Sequence, residues 1–85
     1  MPVVKLYANL RKLAEMKELT VAGGTVGAVV SELVRQKPLV GEIVLQNGGL
    51  ASHVIVTLNG HTVTNLEIPV VEQDIVAIFP PIAGG

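Results

Sequence analysis

The sequence predicts an α+β domain, a mixed sheet of four to five strands with one main helix across one face. Three observations carry this expectation. Val4, Leu6 and Ala8 alternate with Val3, Lys5 and Tyr7, which is strand period. Val26, Val29, Val30, Leu33 and Val34 fall at i, i+3, i+4, i+7 and i+8, a single apolar helical face. Ile75 to Phe79 is apolar at every position, as in a central strand covered on both faces and paired in parallel. Eighty-five residues make one domain, 1–85. That is near the lower end of what folds on a single core, burying about 60–65% of the unfolded chain's surface.

Each element has its own signals. "NLRKLAEMK" is polar with Leu10, Leu13 and Met16 interspersed, a short helical connection after the first strand. "ELTV" is a second short strand, stopped by Gly23-Gly24. Thr25 is an N-cap for the main helix, whose polar face carries Ser31, Glu32, Arg35 and Gln36. Pro38 disfavours helical backbone at Lys37 and ends the helix there. "LVGEIVLQ" reads as a second short helix ending at "NGG". "HVIVTLNGHTV" is a strand running into an Asn-Gly turn, the dipeptide that accepts positive φ at both central positions of a hairpin. "TNLEIPVVEQD" is irregular, since Pro69 excludes a central strand.

Composition removes several functions. Six basic and seven acidic side chains leave a net charge of −1. Lys5, Arg11, Lys12, Lys17, Arg35 and Lys37 are scattered rather than gathered into a basic stripe, which argues against nucleic acid. One Tyr and one Phe give no stacking platform for bases. Without cysteine there is no disulfide, thiolate metal site or cysteine nucleophile. "MPVVKLYA" has no signal-peptide pattern, and no apolar run approaches the ~18 residues of a membrane span. A soluble cytoplasmic protein is expected, with no membrane partner.

A single helix covers one sheet face, so the other should be polar. Instead both strand phases are apolar. Val3, Tyr7, Val76 and Ile78 are expected to share one phase, with Leu6, Ile75, Ala77 and Phe79 on the opposite one. The first set is expected to form a partner interface, because contiguous exposed apolar surface marks binding sites.

Side-chain chemistry is sparse. His53 and His61 have no third ligand at a metal spacing and read as exposed strand-end histidines, so no metal site is expected. "GGTVG" before the helix lacks the Lys-Ser/Thr ending of a phosphate-binding loop and reads as a strand-to-helix turn. Glu67, Glu72 and Asp74 offer carboxylates, but Asp74 is placed to serve the turn "VEQD". No nucleophile stands with a base, so no catalytic side chain is assigned.

What remains is the tail, "FPPIAGG". Pro80 and Pro81 fix φ, lack N–H donors and stiffen the exit from the last strand. The six residues 80–85 reach at most about 20 Å and are expected to form a flexible functional tail. Gly84 and Gly85 lack Cβ atoms, so this backbone can thread a channel too narrow for side chains. A terminal carboxylate, with a pKa of about 3.5, is a poor electrophile until it is converted to an acyl-adenylate. A frayed glycine terminus is the alternative; chance alone gives two terminal glycines in roughly 0.5% of chains.

"YANLRKLA", "TVGAVVSEL", "VTLNG" and "DIVAIFPPIAGG", in this order and over essentially the whole length, resemble the sulfur-carrying small subunit of molybdopterin synthase. That family has the β-grasp (ubiquitin-like) fold. The proline pair also separates the chain from the thiamin-pathway sulfur carriers, which share the fold and the glycines but usually lack the prolines. The resemblance implies that a ubiquitin-activating-type enzyme uses ATP to adenylate the Gly85 carboxylate, and that a sulfur donor converts it to a thiocarboxylate. The tail then enters the large subunit of molybdopterin synthase and delivers sulfur to a pterin precursor. The carrier itself binds no cofactor. Gly85 carries over as the reacting residue, with Phe79, Pro80, Pro81, Ile82, Ala83 and Gly84 as tail and partner-channel contacts. Gln73 stands where the family often has glycine. The same fold and tail also serve ubiquitin-like modifiers joined to lysines, and sulfur carriers for thiamin or tRNA thiolation.

Overall fold

The computed structural model describes residues 1–81. Along the chain run β1 (Val3–Leu6), α1 (Asn9–Ala14), β2 (Glu18–Thr20), α2 (Val26–Gln36), α3 (Pro38–Val44), β3 (Leu45–Gln46), β4 (Gly49–Leu50), β5 (Ile55–Leu58), β6 (His61–Val63) and β7 (Ile75–Phe79). Five strands form one sheet in the order β2-β1-β7-β5-β6, and β3 and β4 form a separate two-stranded ladder. The apolar run of β7 is central, parallel to β1 and antiparallel to β5. A strand so placed must be apolar in both phases, one for each sheet face. Among the described residues no helix is long and apolar enough to cross a membrane.

One sheet face and three helices enclose the core. Val4 and Leu6 of β1, Val56 of β5, and Val76 and Ile78 of β7 point into it. Val26, Val29, Val30 and Leu33 of α2 meet them, joined by Leu10 of α1 and by Val40 and Val44 of α3. Each such side chain, fully buried, stabilises the fold by about 1.5–3 kcal/mol relative to exposure. Among the described residues no polar or charged residue is buried, so the core carries no desolvation penalty of that kind. Thr25 caps α2 as its position suggests, its Oγ1 accepting from the Ala28 N–H at 3.1 Å.

The expected partner interface needs correction at two positions. Val76 and Ile78 are 0% exposed and belong to the core, whereas Ile75, Ala77 and Phe79 lie on the opposite sheet face with Val3 and Tyr7. The parallel register sets Val3 beside Ile75 and Leu6 beside Ile78. The expected grouping was therefore out of phase by one residue between β1 and β7.

A second difference concerns "NGG". Helix α3 stops at Val44, and Asn47-Gly48 forms the turn between β3 and β4, with φ of 53° and 83°. Asn59-Gly60 makes the expected turn between β5 and β6 with φ of 50° and 88°. Both pairs have the doubly positive φ of a tight hairpin turn, which glycine adopts without a Cβ penalty.

That second turn is tied to the chain entering β7. Asp74 accepts from the Val71 N–H through Oδ2 and from the Asn59 carboxamide through Oδ1, both at 2.8 Å. The Val71 bond and then the Asn59 bond hold the Asp74 carboxyl below its ordinary 3.8. A folded pKa below the unfolded one means stabilisation that is complete above the unfolded value and lost as pH falls through the folded one. Asp74→Asn is thus expected to lower the melting temperature at neutral pH, with the gap to wild type closing as the pH is lowered past the carboxylate range. A gap that is independent of pH would show that the charge contributes nothing.

Candidate functional site

Strand β7 delivers the tail. Phe79 is its last residue, opposite Ile55 of β5, and Pro80 and Pro81 follow. Neither proline has an N–H to extend the ladder, so strand pairing stops where the tail begins. The next strand over, β1, ends in register, which brings Tyr7 beside Phe79. Their rings stack with centroids 4.4 Å apart and planes inclined by 15°. Such pairs contribute about 0.5–1.5 kcal/mol beyond area burial. Arg11 of α1 places its guanidinium carbon 5.1 Å from the Tyr7 ring centroid, while its Nε donates to the Leu6 carbonyl at 2.8 Å. The root of the tail is thereby fixed between two strands and one helix.

Beside this stack lies an open apolar groove of ≈ 850 Å³ lined by Tyr7, Ala8, His53, Ile55, Phe79, Pro80 and Pro81. Ile55, 48% exposed, belongs to both the groove and the outer sheet face, where Ile75 at the far end of β7 is 38% exposed. An apolar surface with the tail emerging at its edge can seat a partner and direct the chain end into it.

The connection from β1 to α1 at the groove's rim is strained at one residue: Ala8 has φ 53° and ψ −134°, close to the first central position of a type II′ turn. The Leu10 N–H closes that turn on the Tyr7 carbonyl at 3.1 Å. Holding a non-glycine residue there costs about 1–3 kcal/mol. Ala8→Gly relieves it, against about 0.4–1 kcal/mol of added unfolded-chain entropy. A net gain of about 1 kcal/mol is expected, raising the melting temperature by roughly 4–8 °C. A lower melting temperature for the variant would show that the turn is not strained.

The remaining candidates from the sequence are not brought together. His53 sits at the groove and His61 is exposed on β6. Among the described residues no group of three or more His, Cys, Asp or Glu converges. Asp74 serves its turn, and the Glu72 carboxylate lies 3.8 Å from the Met1 ammonium. The start of α2 is closed to an anion. Val26 and Gly27 donate to the Ile68 and Leu66 carbonyls, Ala28 to the Thr25 side chain and Val29 to the Thr25 carbonyl. With its first N–H groups satisfied internally, the "GGTVG" turn offers no phosphate cradle. A Cβ at Gly23 would lie 2.7 Å from the Val29 nitrogen, which explains glycine there by packing.

Of the tail residues singled out, Phe79, Pro80 and Pro81 meet at the groove; Ile82, Ala83, Gly84 and Gly85 lie outside the described residues. Sequence reasoning missed Ala8, Arg11, His53 and Ile55 as neighbours of the tail. Ile55 had a signal in the alternation of "HVIVTL", since it shares a phase with Thr57 and not with Val56. Arg11 had none, because its contact with Tyr7 depends on the unusual turn at Ala8.

A central last strand parallel to the first, a helix across the inner face, and a tail leaving beyond that strand define the ubiquitin-like β-grasp class. The chain belongs to the ThiS family, whose model matches residues 4–85. A search of curated protein sequences finds no match. Among solved structures, the chain is similar to SAMP1 from Haloferax volcanii at 32% identity and a TM-score of 0.86, covering 99% of this chain and 98% of that one. It is similar to small archaeal modifier protein 1 from Methanosarcina acetivorans at 29% identity and a TM-score of 0.89, over 99% and 95% of the two chains. A Pyrococcus furiosus chain assigned as molybdopterin converting factor, subunit 1, is similar at 26% identity and a TM-score of 0.74, over 95% and 97%. The protein is thus a member of the ubiquitin-like sulfur carriers and modifiers.

Proposed function

We propose that the protein is a sulfur carrier that acts as the small subunit of a molybdopterin synthase, with the Gly85 carboxylate as its reacting group. The observation that carries this reading is the Tyr7–Phe79 stack at the root of a Pro-Pro-Ile-Ala-Gly-Gly tail, beside an apolar groove. A stiff, fixed root lowers the ordering cost of inserting a short tail into one dedicated pocket. In the proposed cycle the carboxylate attacks ATP on an adenylating partner, forming the acyl-adenylate and releasing pyrophosphate. A sulfide-level donor then displaces AMP, forming the C–S bond of a thiocarboxylate. On the large subunit the C–S bond breaks as sulfur passes to the acceptor, and water supplies the oxygen that restores the carboxylate. The similarity to the Pyrococcus furiosus chain supports the molybdopterin assignment.

The similarity to two small archaeal modifier proteins favours a second reading, in which the activated Gly85 carboxyl is joined to lysine amines. Both readings need the same electrophile and differ in how it is discharged. Intact-mass analysis of the protein from its native host is expected to show a fraction shifted by one oxygen-to-sulfur exchange, enriched when the large subunit is deleted. Peptide mapping of the same lysate is expected to find few lysines carrying a C-terminal remnant of this chain. Abundant conjugates with no thiocarboxylate would establish the modifier instead.

A further inference from the structure

Two Asn-Gly turns occur in this chain with nearly the same backbone. Their φ angles are 53° and 83° at Asn47-Gly48, and 50° and 88° at Asn59-Gly60. In such a dipeptide no Cβ hinders the glycine nitrogen from attacking the asparagine carboxamide carbon when the turn opens locally. The two side chains are held very differently. Asn59 donates from Nδ2 to Asp74 Oδ1 at 2.8 Å and accepts at Oδ1 from the Ile75 N–H at 2.9 Å. Its own backbone N–H donates to the Ile75 carbonyl at 2.8 Å. Asn47 is exposed, and none of the side-chain hydrogen bonds among the described residues involves it. A Cβ placed on either Gly48 or Gly60 would meet nothing within 4 Å, so the difference between the turns lies in the asparagine side chains and not at the glycines.

The supporting ladders differ as well. Asn47-Gly48 closes two cross-strand pairs, Leu45 with Leu50 and Gln46 with Gly49, outside the five-stranded sheet. Asn59-Gly60 closes three pairs, and β5 is also paired along its length with β7. Local opening is cheapest where few paired residues must separate.

We propose that Asn47 is a site of spontaneous covalent modification, and that Asn59 is protected from the same reaction by Asp74 and the Ile75 N–H. The Gly48 nitrogen forms a bond to the Asn47 carboxamide carbon, and the bond from that carbon to Nδ2 breaks. Ammonia leaves with the proton lost by the Gly48 N–H, and a five-membered succinimide remains. Water then opens the ring at either carbonyl, giving aspartate or isoaspartate. Both products add one negative charge at this turn. The isoaspartate product also inserts a methylene into the main chain of a turn held by two cross-strand pairs and the Ala51 N–H bond to the Val44 carbonyl. At Asn59 the same attack requires the carboxamide to leave both of its partners first.

The test is a time course of the folded full chain in mildly alkaline buffer, with peptide mapping by fragmentation that separates isoaspartate from aspartate. Conversion at Asn47 is expected to be at least about tenfold faster than at Asn59 in the folded protein. In denaturant, where both carboxamides are free, the two rates are expected to converge. In Asp74→Ala, Asn59 is expected to accelerate toward the Asn47 rate; the comparison within wild type stands whether or not that variant folds. Equal rates in the folded wild-type protein, faster conversion at Asn59, or no conversion at Asn47 would each overturn the proposal. A rate difference that persists in denaturant would also overturn it, since the cause would then lie outside the fold.

Discussion

Deleting Gly85, or adding one residue after it, is expected to cut ATP–pyrophosphate exchange with a cognate adenylating enzyme by about 100-fold or more. The expectation rests on the proposed chemistry. The carboxylate must sit within attacking distance of the α-phosphate, and a shift of one residue moves it by about 3.3–3.6 Å. The tail is anchored at its root by the Tyr7–Phe79 stack, so a change in its length shifts the position of its end. Thermal unfolding of the same variants is expected to match wild type, since among the described residues the core lies upstream of the tail. Exchange at the wild-type rate by the deletion variant would remove Gly85 from the reaction. A lowered melting temperature would instead give the last residue a structural role.

Ile78→Lys is expected to unfold the domain. Ile78 is 0% exposed and packs with Val4, Leu6, Val56 and Val76 in the core. An unpaired ammonium there costs about 3–5 kcal/mol, and the deleted apolar side chain removes about 1.5–3 kcal/mol more. A domain of this size has roughly 4–13 kcal/mol of stability in total, at about 0.05–0.15 kcal/mol per residue. Ile55→Lys is the internal control. Its side chain is 48% exposed on the outer face, so the ammonium remains in water and the fold is expected to persist. Circular dichroism melts of both variants decide the point. A folded Ile78→Lys beside an unfolded Ile55→Lys would invert the assignment of the two sheet faces.

That assignment shows where reading the sequence stops. Period-two alternation fixes which residues of one strand share a face, and it was legible in β1 and in β7 separately. It says nothing about how one strand slides against the next. Val3 groups with Val76 and Ile78 on the sequence because both phases of β7 are apolar, and no polar residue in that strand marks the solvent side. Only the register, Val3 to Ile75 and Val4 to Val76, tells the two faces apart.

The two Asn-Gly pairs teach the same lesson on a smaller scale. Between "VTL" and "HTV" the dipeptide was readable as a hairpin, because alternating strand residues flank it. Between "IVLQ" and "GLAS" it looked like a helix ending, because the preceding residues keep a helical pattern up to the turn. Local propensity is nearly the same in both; the ladder of Leu45 with Leu50 decided the second. The groove is a third case. Tyr7, His53, Ile55 and Phe79 come from three separate segments, so no spacing along the chain could have announced their meeting.

By itself the sequence determined the α+β class, the capped amphipathic helix, the central apolar strand and the Pro-Pro…Gly-Gly tail. Each is a local matter of periodicity, capping or backbone freedom within a few residues. Tertiary structure alone decided which apolar phase faces the helices, that Asn47-Gly48 closes a hairpin, and what surrounds the root of the tail. Those depend on register and packing between segments distant in the chain, and the free energy that selects them exists only once the strands have paired.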